Sequence, residues 1–344
     1  MSDFQHLQDW VETFLPDSCI WQDNLSILPL TGDAGFRRYF RVNSKPSLIA
    51  VSAPPEHENN PAFVSVALWL KQYGLHTPTI FAVDYQQGFL LLEDFGDDLL
   101  LPHLSPATVD PFYDAAEDVL LKIQQVPRAS DLFPDYCRQY LLDEMKLFPE
   151  WFLSQLLGLE LQPSDHELLD EALAKLADSA QEQPQVVVHR DFHSRNLMLL
   201  AKKEVGLIDF QDAVIGPITY DLVSLLRDCY IRWPSDYVLQ RALNYYRRAE
   251  AGGIAPPASD TQILRWFDLM GLQRHIKVLG IFARLSLRDG KHHYLNDLPL
   301  VIRYTFEQLE RYPELGEFKD WFESRVLPLL PQQAWFQPWE TAGD

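Results

Sequence analysis

The sequence predicts an α+β protein of two lobes, a small antiparallel-sheet N-lobe with a leading helix (residues 1–96) and a larger, mostly helical C-lobe (97–344). Three observations predict it. Short β-rich runs broken by Gly and Pro fill the first lobe. Helical apolar spacing takes over from Ser105. One β-rich island near 186–208 interrupts the helices.

Taken in order, Phe4, Leu7, Trp10, Val11, Phe14 and Leu15 share one helical stripe that Pro16 stops. Residues 25–30, 37–42 and 48–53 are punctuated by Gly32, Gly35 and Pro46 and read as antiparallel strands. Asn60-Pro61 supplies an N-cap and a first-turn proline. Phe63, Val66, Ala67 and Leu70 then follow at helical spacing, and Gly74 closes the helix. Strands at 79–83 and 89–93 flank a Gln-Gln-Gly turn. Helices are expected near 106–126, 134–156, 164–182, 218–230, 235–251, 259–288 and 297–311. The island holds Val186-Val187-Val188, 197–200 and 205–208, the last two joined by Ala-Lys-Lys-Glu as a hairpin turn. The tail after Pro328 is expected to pack back through Trp335 and Trp339.

The 344 residues are 47% hydrophobic, enough for a sizeable core. With 29 Lys and Arg against 49 Asp and Glu, the net charge is −20. Such a chain repels polyphosphate backbones, which excludes a general nucleic-acid binder. Cys19, Cys137 and Cys229 form no C-x-x-C pair and no disulfide framework, which indicates a reducing compartment. The start, Met1-Ser2-Asp3-Phe4, lacks the features of a signal peptide. No run approaches the ~18 apolar residues of a membrane span. The expectation is a cytoplasmic monomer without nucleic-acid or membrane partners.

The island carries the chemistry. It reads His189-Arg190-Asp191-Phe192-His193-Ser194-Arg195-Asn196, then Ile208-Asp209-Phe210-Gln211-Asp212. Asp191 and Asn196 have the H-R-D-x-x-x-x-N spacing of a kinase catalytic loop. Phosphoryl transfer needs a carboxylate for the attacking hydroxyl's proton, here Asp191. It also needs an Asn and a second Asp to hold Mg2+ on the phosphates of ATP, here Asn196 and Asp209. Upstream, Gly32, Asp33, Ala34, Gly35 and Phe36 lie between two strands, where glycines let backbone N–H groups approach an anion; a plain hairpin loop has the same composition. The strand 89–93, with Glu93, Asp94 and Phe95 at its exit, is placed as the hinge whose backbone pairs with adenine.

These motifs resemble the aminoglycoside-phosphotransferase-like family of small-molecule kinases over roughly residues 25–310. The family loop H-x-D-x-H-x-x-N is met by His189, Asp191, His193 and Asn196, and its metal Asp by Asp209. Gly216-Pro217-Ile218-Thr219-Tyr220-Asp221-Leu222 looks like the family's G-x-x-x-x-D-L helix start, whose acid braces the catalytic segment. The resemblance implies a two-lobe protein-kinase-like fold with ATP between the lobes. Three stretches, at 53–56, 189–196 and 271–280, are similar to the amino-sugar anomeric kinases of that family. That likeness implies transfer of the ATP γ-phosphate to the C1 hydroxyl of N-acetylmuramate or N-acetylglucosamine, as in cell-wall recycling. The rivals are a kinase of the same fold acting on another hydroxylated small molecule, an aminoglycoside included, and a non-catalytic regulator that keeps the fold and binds nucleotide or a partner.

The chain departs from the pattern in two respects. The strand 48–53 has no lysine, and the helix 61–73 has no acid to partner one. Arg37, Arg38 and Arg41 are the candidates to steady the phosphates, with Arg38 on the opposite strand face from the other two. Arg190 stands where much of the family has Gly, and tying the loop to a neighbouring acid is its structural alternative. For the sugar, Glu144, Trp151 and Gln211 are the candidate contacts, and Asp212 lies beside the metal acid. Arg274, His275 and Lys277 either line a sugar pocket or form a solvated helix face.

Overall fold

The computed structural model describes residues 3–21, 26–30, 36–129, 131–201 and 204–344. Its backbone falls into two units, residues 1–122 with 195–212, and residues 123–194 with 213–344.

The first unit opens with α1 (Asp3–Phe14), β1 (Ile20–Trp21), β2 (Ile27–Pro29), β3 (Arg38–Val42), β4 (Ser44–Lys45) and β5 (Leu48–Ser52). It continues through α2 (Asn60–Gln72), β6 (Ile80–Asp84) and β7 (Phe89–Glu93). β1 pairs with β4, and the other strands form a five-stranded antiparallel sheet in the order β2-β3-β5-β7-β6. Strand alternation gives the sheet two different faces. Phe40, Val42, Leu48, Ala50, Phe89 and Leu91 form a buried core with Leu7, Trp10 and Val11 of α1. Tyr39 and Arg41 therefore belong to the other face. β5 is central, and Leu48 to Val51 are all buried. A lysine there would be a desolvated charge, so an apolar strand is what the position demands. The cap of α2 is one residue earlier than the sequence suggested. The Asn59 side chain accepts from the Ala62 N–H at 3.1 Å, and Asn60 instead donates to the Ala53 carbonyl at 2.7 Å. Pro61 then occupies the first turn, where no N–H is needed.

Helix α3 (Val109–Gln125) is followed by α4 (Arg138–Met145), a π-helical stretch at Phe148–Leu156, and α5 (Pro163–Glu182). The single helix expected over 134–156 is thus broken, because Pro149 has no N–H to continue the ladder. Next come β8 (Gln185–Val188), β9 (Leu197–Leu199), β10 (Val205–Leu207) and β11 (Val214–Pro217). β9 pairs antiparallel with β10 in the first unit, the hairpin the sequence suggested. β8 pairs with β11 in the second unit, where only a helix start had been expected.

The second unit continues with α6 (Tyr220–Leu226), α7 (Ser235–Ala251), α8 (Asp260–Asp289), α9 (Leu298–Leu309) and α10 (Gly316–Trp321). Every residue of α8 from Trp266 to Gly280 is buried. At Gly280 a β-carbon would lie 2.4 Å from the Leu147 carbonyl carbon, so only glycine lets the backbones pass so closely. The solvated-face alternative for Arg274, His275 and Lys277 does not hold, since all three are enclosed. Trp339 packs edge-on against Phe306 of α9 at 5.2 Å, as expected of the tail. Among the described residues no helix is long and apolar enough to cross a membrane.

Candidate active site

In the second unit, β8 delivers the chain into His189-Arg190-Asp191. Arg190 has φ 76°, a left-handed conformation unusual for a residue with a side chain. Its turn is held by Asp221, fully buried at the start of α6. One carboxylate oxygen accepts the His189 N–H at 2.6 Å and the other accepts the Arg190 N–H at 3.0 Å. Burial pushes the Asp221 carboxyl up to about 7, with the nearby Asp191 charge adding to it and the two N–H bonds opposing. The Arg190 guanidinium is pinned by Glu144 and lies over the rings of Tyr136 and Tyr140 at 5.4 and 5.1 Å. The far end of the segment is tied to Asp228, which accepts from the Ser194 N–H at 2.9 Å and hydroxyl at 2.5 Å.

This bracing fixes Asp191 and its charge state. Burial alone would raise its carboxyl, but His193, Lys277, Arg190 and Arg274 outweigh burial and hold it below the usual carboxylate range. Arg274 is itself oriented by the Ser224 hydroxyl at 2.5 Å. Lys277 sits 2.9 Å from Glu144 and 3.0 Å from the Tyr220 hydroxyl. The result is an ionised acceptor on an over-determined loop, suited to orienting a hydroxyl and taking its proton.

In the first unit, Asp209 follows β10 with φ 62°, again left-handed, and its side chain is exposed. Asn196 Nδ2 lies 3.5 Å from one Asp209 oxygen, and Gln211 Nε2 donates to the other at 2.8 Å. No cluster of three or more His, Cys, Asp or Glu suited to a metal occurs among the described residues. Asp209 and Asn196 instead offer a carboxylate and an amide oxygen side by side. This hard, sparse donor set fits Mg2+, which keeps several waters and takes few protein ligands alongside phosphates. Behind it, Phe210 stacks on Phe63 of α2 at 5.0 Å. The Tyr39 phenol is pushed up to about 12, mainly by burial, with Asp209 and Glu58 adding and Arg37 opposing.

The other sequence candidates divide clearly. Gly32, Asp33, Ala34 and Gly35 lie outside the described residues. Phe36 stacks on His57 at 4.1 Å, and its N–H donates to Glu58 at 3.1 Å. Arg38 is exposed on the strand face of Phe40 and Val42 and is not brought to Asp209. Arg41 is taken up by Asp94 and Asp97, at 2.7 Å each. Glu93 accepts from Thr79, and the Phe95 ring lies against Gly206, where a β-carbon would meet it at 2.9 Å. Glu144 is occupied by Arg190, Lys277 and the Tyr136 hydroxyl, which makes it a structural anchor. Trp151 is half-buried in the π-helical stretch, and Asp212 is exposed. His275 is stacked on Tyr304 with Nε2 3.2 Å from the Arg227 carbonyl. Sequence reasoning missed Glu58, Tyr136, Ser224 and Asp228. Only Glu58 carried a signal, as an acid just ahead of a helix that lacks one.

A loop bearing an ionised acid and braced from α6 in the second unit, and an Asn–Asp pair on a strand hairpin in the first, are each of the kind that phosphoryl transfer uses. The chain belongs to the phosphotransferase enzyme family, which it matches over residues 26–257. It is 41% identical over 337 residues to a Pseudomonas aeruginosa protein named N-acetylmuramate/N-acetylglucosamine kinase, covering 96% of this chain and 98% of that one. A Neisseria meningitidis protein of the same name is 38% identical over 320 residues, covering 90% and 92%. A choline kinase from Streptococcus pneumoniae superposes with a TM-score of 0.62 at 13% identity, covering 90% of this chain and 99% of that one. The fold is therefore the protein-kinase-like α+β fold. The chain is an enzyme, and its kinase family implies ATP as the phosphoryl donor.

Proposed function

We propose that the chain is an ATP-dependent kinase that phosphorylates the anomeric C1 hydroxyl of N-acetylmuramate and N-acetylglucosamine, giving the α-1-phosphates in cell-wall recycling. The observation that carries this reading is the 41% identity, over nearly the whole chain, to a kinase named for those two sugars. Asp191 orients the C1 hydroxyl and accepts its proton; a hemiacetal hydroxyl is more acidic than an ordinary alcohol, so a carboxylate with a lowered pKa suffices. Asn196 and Asp209 hold Mg2+, which when bound neutralises the phosphates. The N-lobe, residues 1–96, supplies the hinge, residues 90–96, whose backbone pairs with adenine. Positioning and charge neutralisation supply most of the rate. The reading includes a cytoplasmic, monomeric enzyme, supported by the cysteine pattern.

The test is ATP consumption with Mg2+ across N-acetylmuramate, N-acetylglucosamine, glucose and kanamycin, with phosphorus NMR of the products. The expected result is a sugar 1-phosphate from the two N-acetylated sugars alone. Kanamycin turnover, or phosphate at another hydroxyl, would overturn the substrate assignment.

A further inference from the structure

Kinases of this kind steady the nucleotide phosphates with a strand lysine that a helix glutamate holds in place. Here the strand is sealed and apolar, and α2 contains no acid. An ion pair of the same type nevertheless stands close by. Arg37, immediately before β3, lies 3.5 Å from Glu58, which sits just ahead of α2. Glu58 is also fixed by the Phe36 N–H. The Arg37 side chain is only 6% exposed, and its guanidinium lies 4.8 Å over the ring of Phe63.

Strand alternation and a stacked ring pair place this pair on the Asp209 side of the sheet. Arg37 falls on the strand face of Tyr39, opposite the face of Phe40 and Val42 that packs on α1, and the Tyr39 phenol feels the charges of Arg37, Glu58 and Asp209. Phe63, beneath the guanidinium, stacks on Phe210, the residue after Asp209. The other arginines are committed elsewhere, Arg41 to Asp94 and Asp97, and Arg38 to the face that packs on α1. At 3.5 Å Glu58 engages Arg37 at the long limit of a hydrogen bond, which leaves guanidinium donors for a second anion.

We propose that Arg37, held by Glu58, steadies the nucleotide phosphates beside Asp209, in place of the strand lysine and helix glutamate. The proposal rests on the kinase reading above but is independent of the sugar.

Calorimetric titration of the full chain with Mg2+·ATP and, separately, with adenosine tests it. Arg37→Gln should weaken ATP binding by about 30-fold and leave adenosine binding within about twofold, as expected for loss of a charge-assisted contact to phosphate. Arg37→Lys should restore most of the loss. Glu58→Gln should weaken ATP binding several-fold with adenosine again unaffected; this variant also serves if Arg37→Gln does not fold. Equal losses for ATP and adenosine would assign Arg37 a structural role and overturn the proposal. So would wild-type ATP affinity in Arg37→Gln, or an ATP-selective loss in Arg38→Gln in its place. Arginine-dependent ATP binding without turnover of either sugar would sink the substrate reading alone.

Discussion

The Asp191 corner of the second unit and the Asp209 corner of the first are held in different ways. Around Asp191 the chain is over-determined. Asp221 and Asp228 clamp the loop backbone, and Glu144 gathers Arg190, Lys277 and Tyr136 into one buried network. Around Asp209 the carboxylate is exposed, with Gln211 Nε2 at 2.8 Å and Asn196 Nδ2 at 3.5 Å. Yet each corner bends through one non-glycine residue in left-handed backbone, Arg190 in the first and Asp209 in the second. In the proposed roles, a base must be aimed to a fraction of an ångström, which a loop braced from several sides provides, and a metal ligand must keep its oxygens available, which an exposed carboxylate provides.

Breaking the braced corner at its reactive group has the largest effect. Asp191→Asn should lower kcat by about a thousandfold while the protein stays folded with a somewhat lower thermal midpoint, since the four cations around it lose their counter-charge, measured by coupled turnover and calorimetry. An unchanged kcat would remove Asp191 from the base role. Next, Glu144→Gln strands two buried cations and should cost about 3 kcal/mol in urea unfolding while leaving Mg2+·ATP affinity intact.

The two strained residues sharpen the contrast. Asp209→Gly relieves the left-handed strain of an exposed residue, so stability should rise by about 1 kcal/mol while Mg2+-dependent ATP binding disappears. Arg190→Gly relieves the same strain but deletes the ion pair with Glu144, so stability should fall. A stabilised Arg190→Gly would mean that the bracing network contributes less than the strain.

The smallest effect is in acid. His275, on α8, is pushed down to about 3 by burial, from an ordinary 6.5. Its neutral form is the folded one, so its contribution is complete above about 6.5 and fades as pH falls toward 3. His275→Gln should flatten the loss of stability over that window in pH-dependent unfolding.

Much of this was legible in the sequence, for identifiable reasons. Alternation and Gly–Pro punctuation marked the strands, and the spacing of Asp191, Asn196 and Asp209 marked the chemistry. The structure then placed Asp221 on the loop it was expected to brace. What escaped notice depends on distance along the chain. Ser194 meets Asp228 and Arg37 meets Glu58 only after the fold has closed, and no local pattern pairs them. α8 misled in a different way. A helix buried all round has no polar face, so Arg274, His275 and Lys277 gave no periodic signal of which was turned to Asp191. The 134–156 helix was drawn through Pro149, although proline inside a helical pattern is itself a warning.

The first unit is not contiguous, because residues 195–212 complete it from the far side of residues 123–194. On a ribosome adding about 5–20 residues per second, the sheet and α2 wait several seconds for the hairpin that brings Phe210 to Phe63. During that interval the apolar face of Phe63 has no Phe210 to cover it. Asn196 and Asp209, the proposed metal ligands, thus arrive with the last structural piece of their own unit.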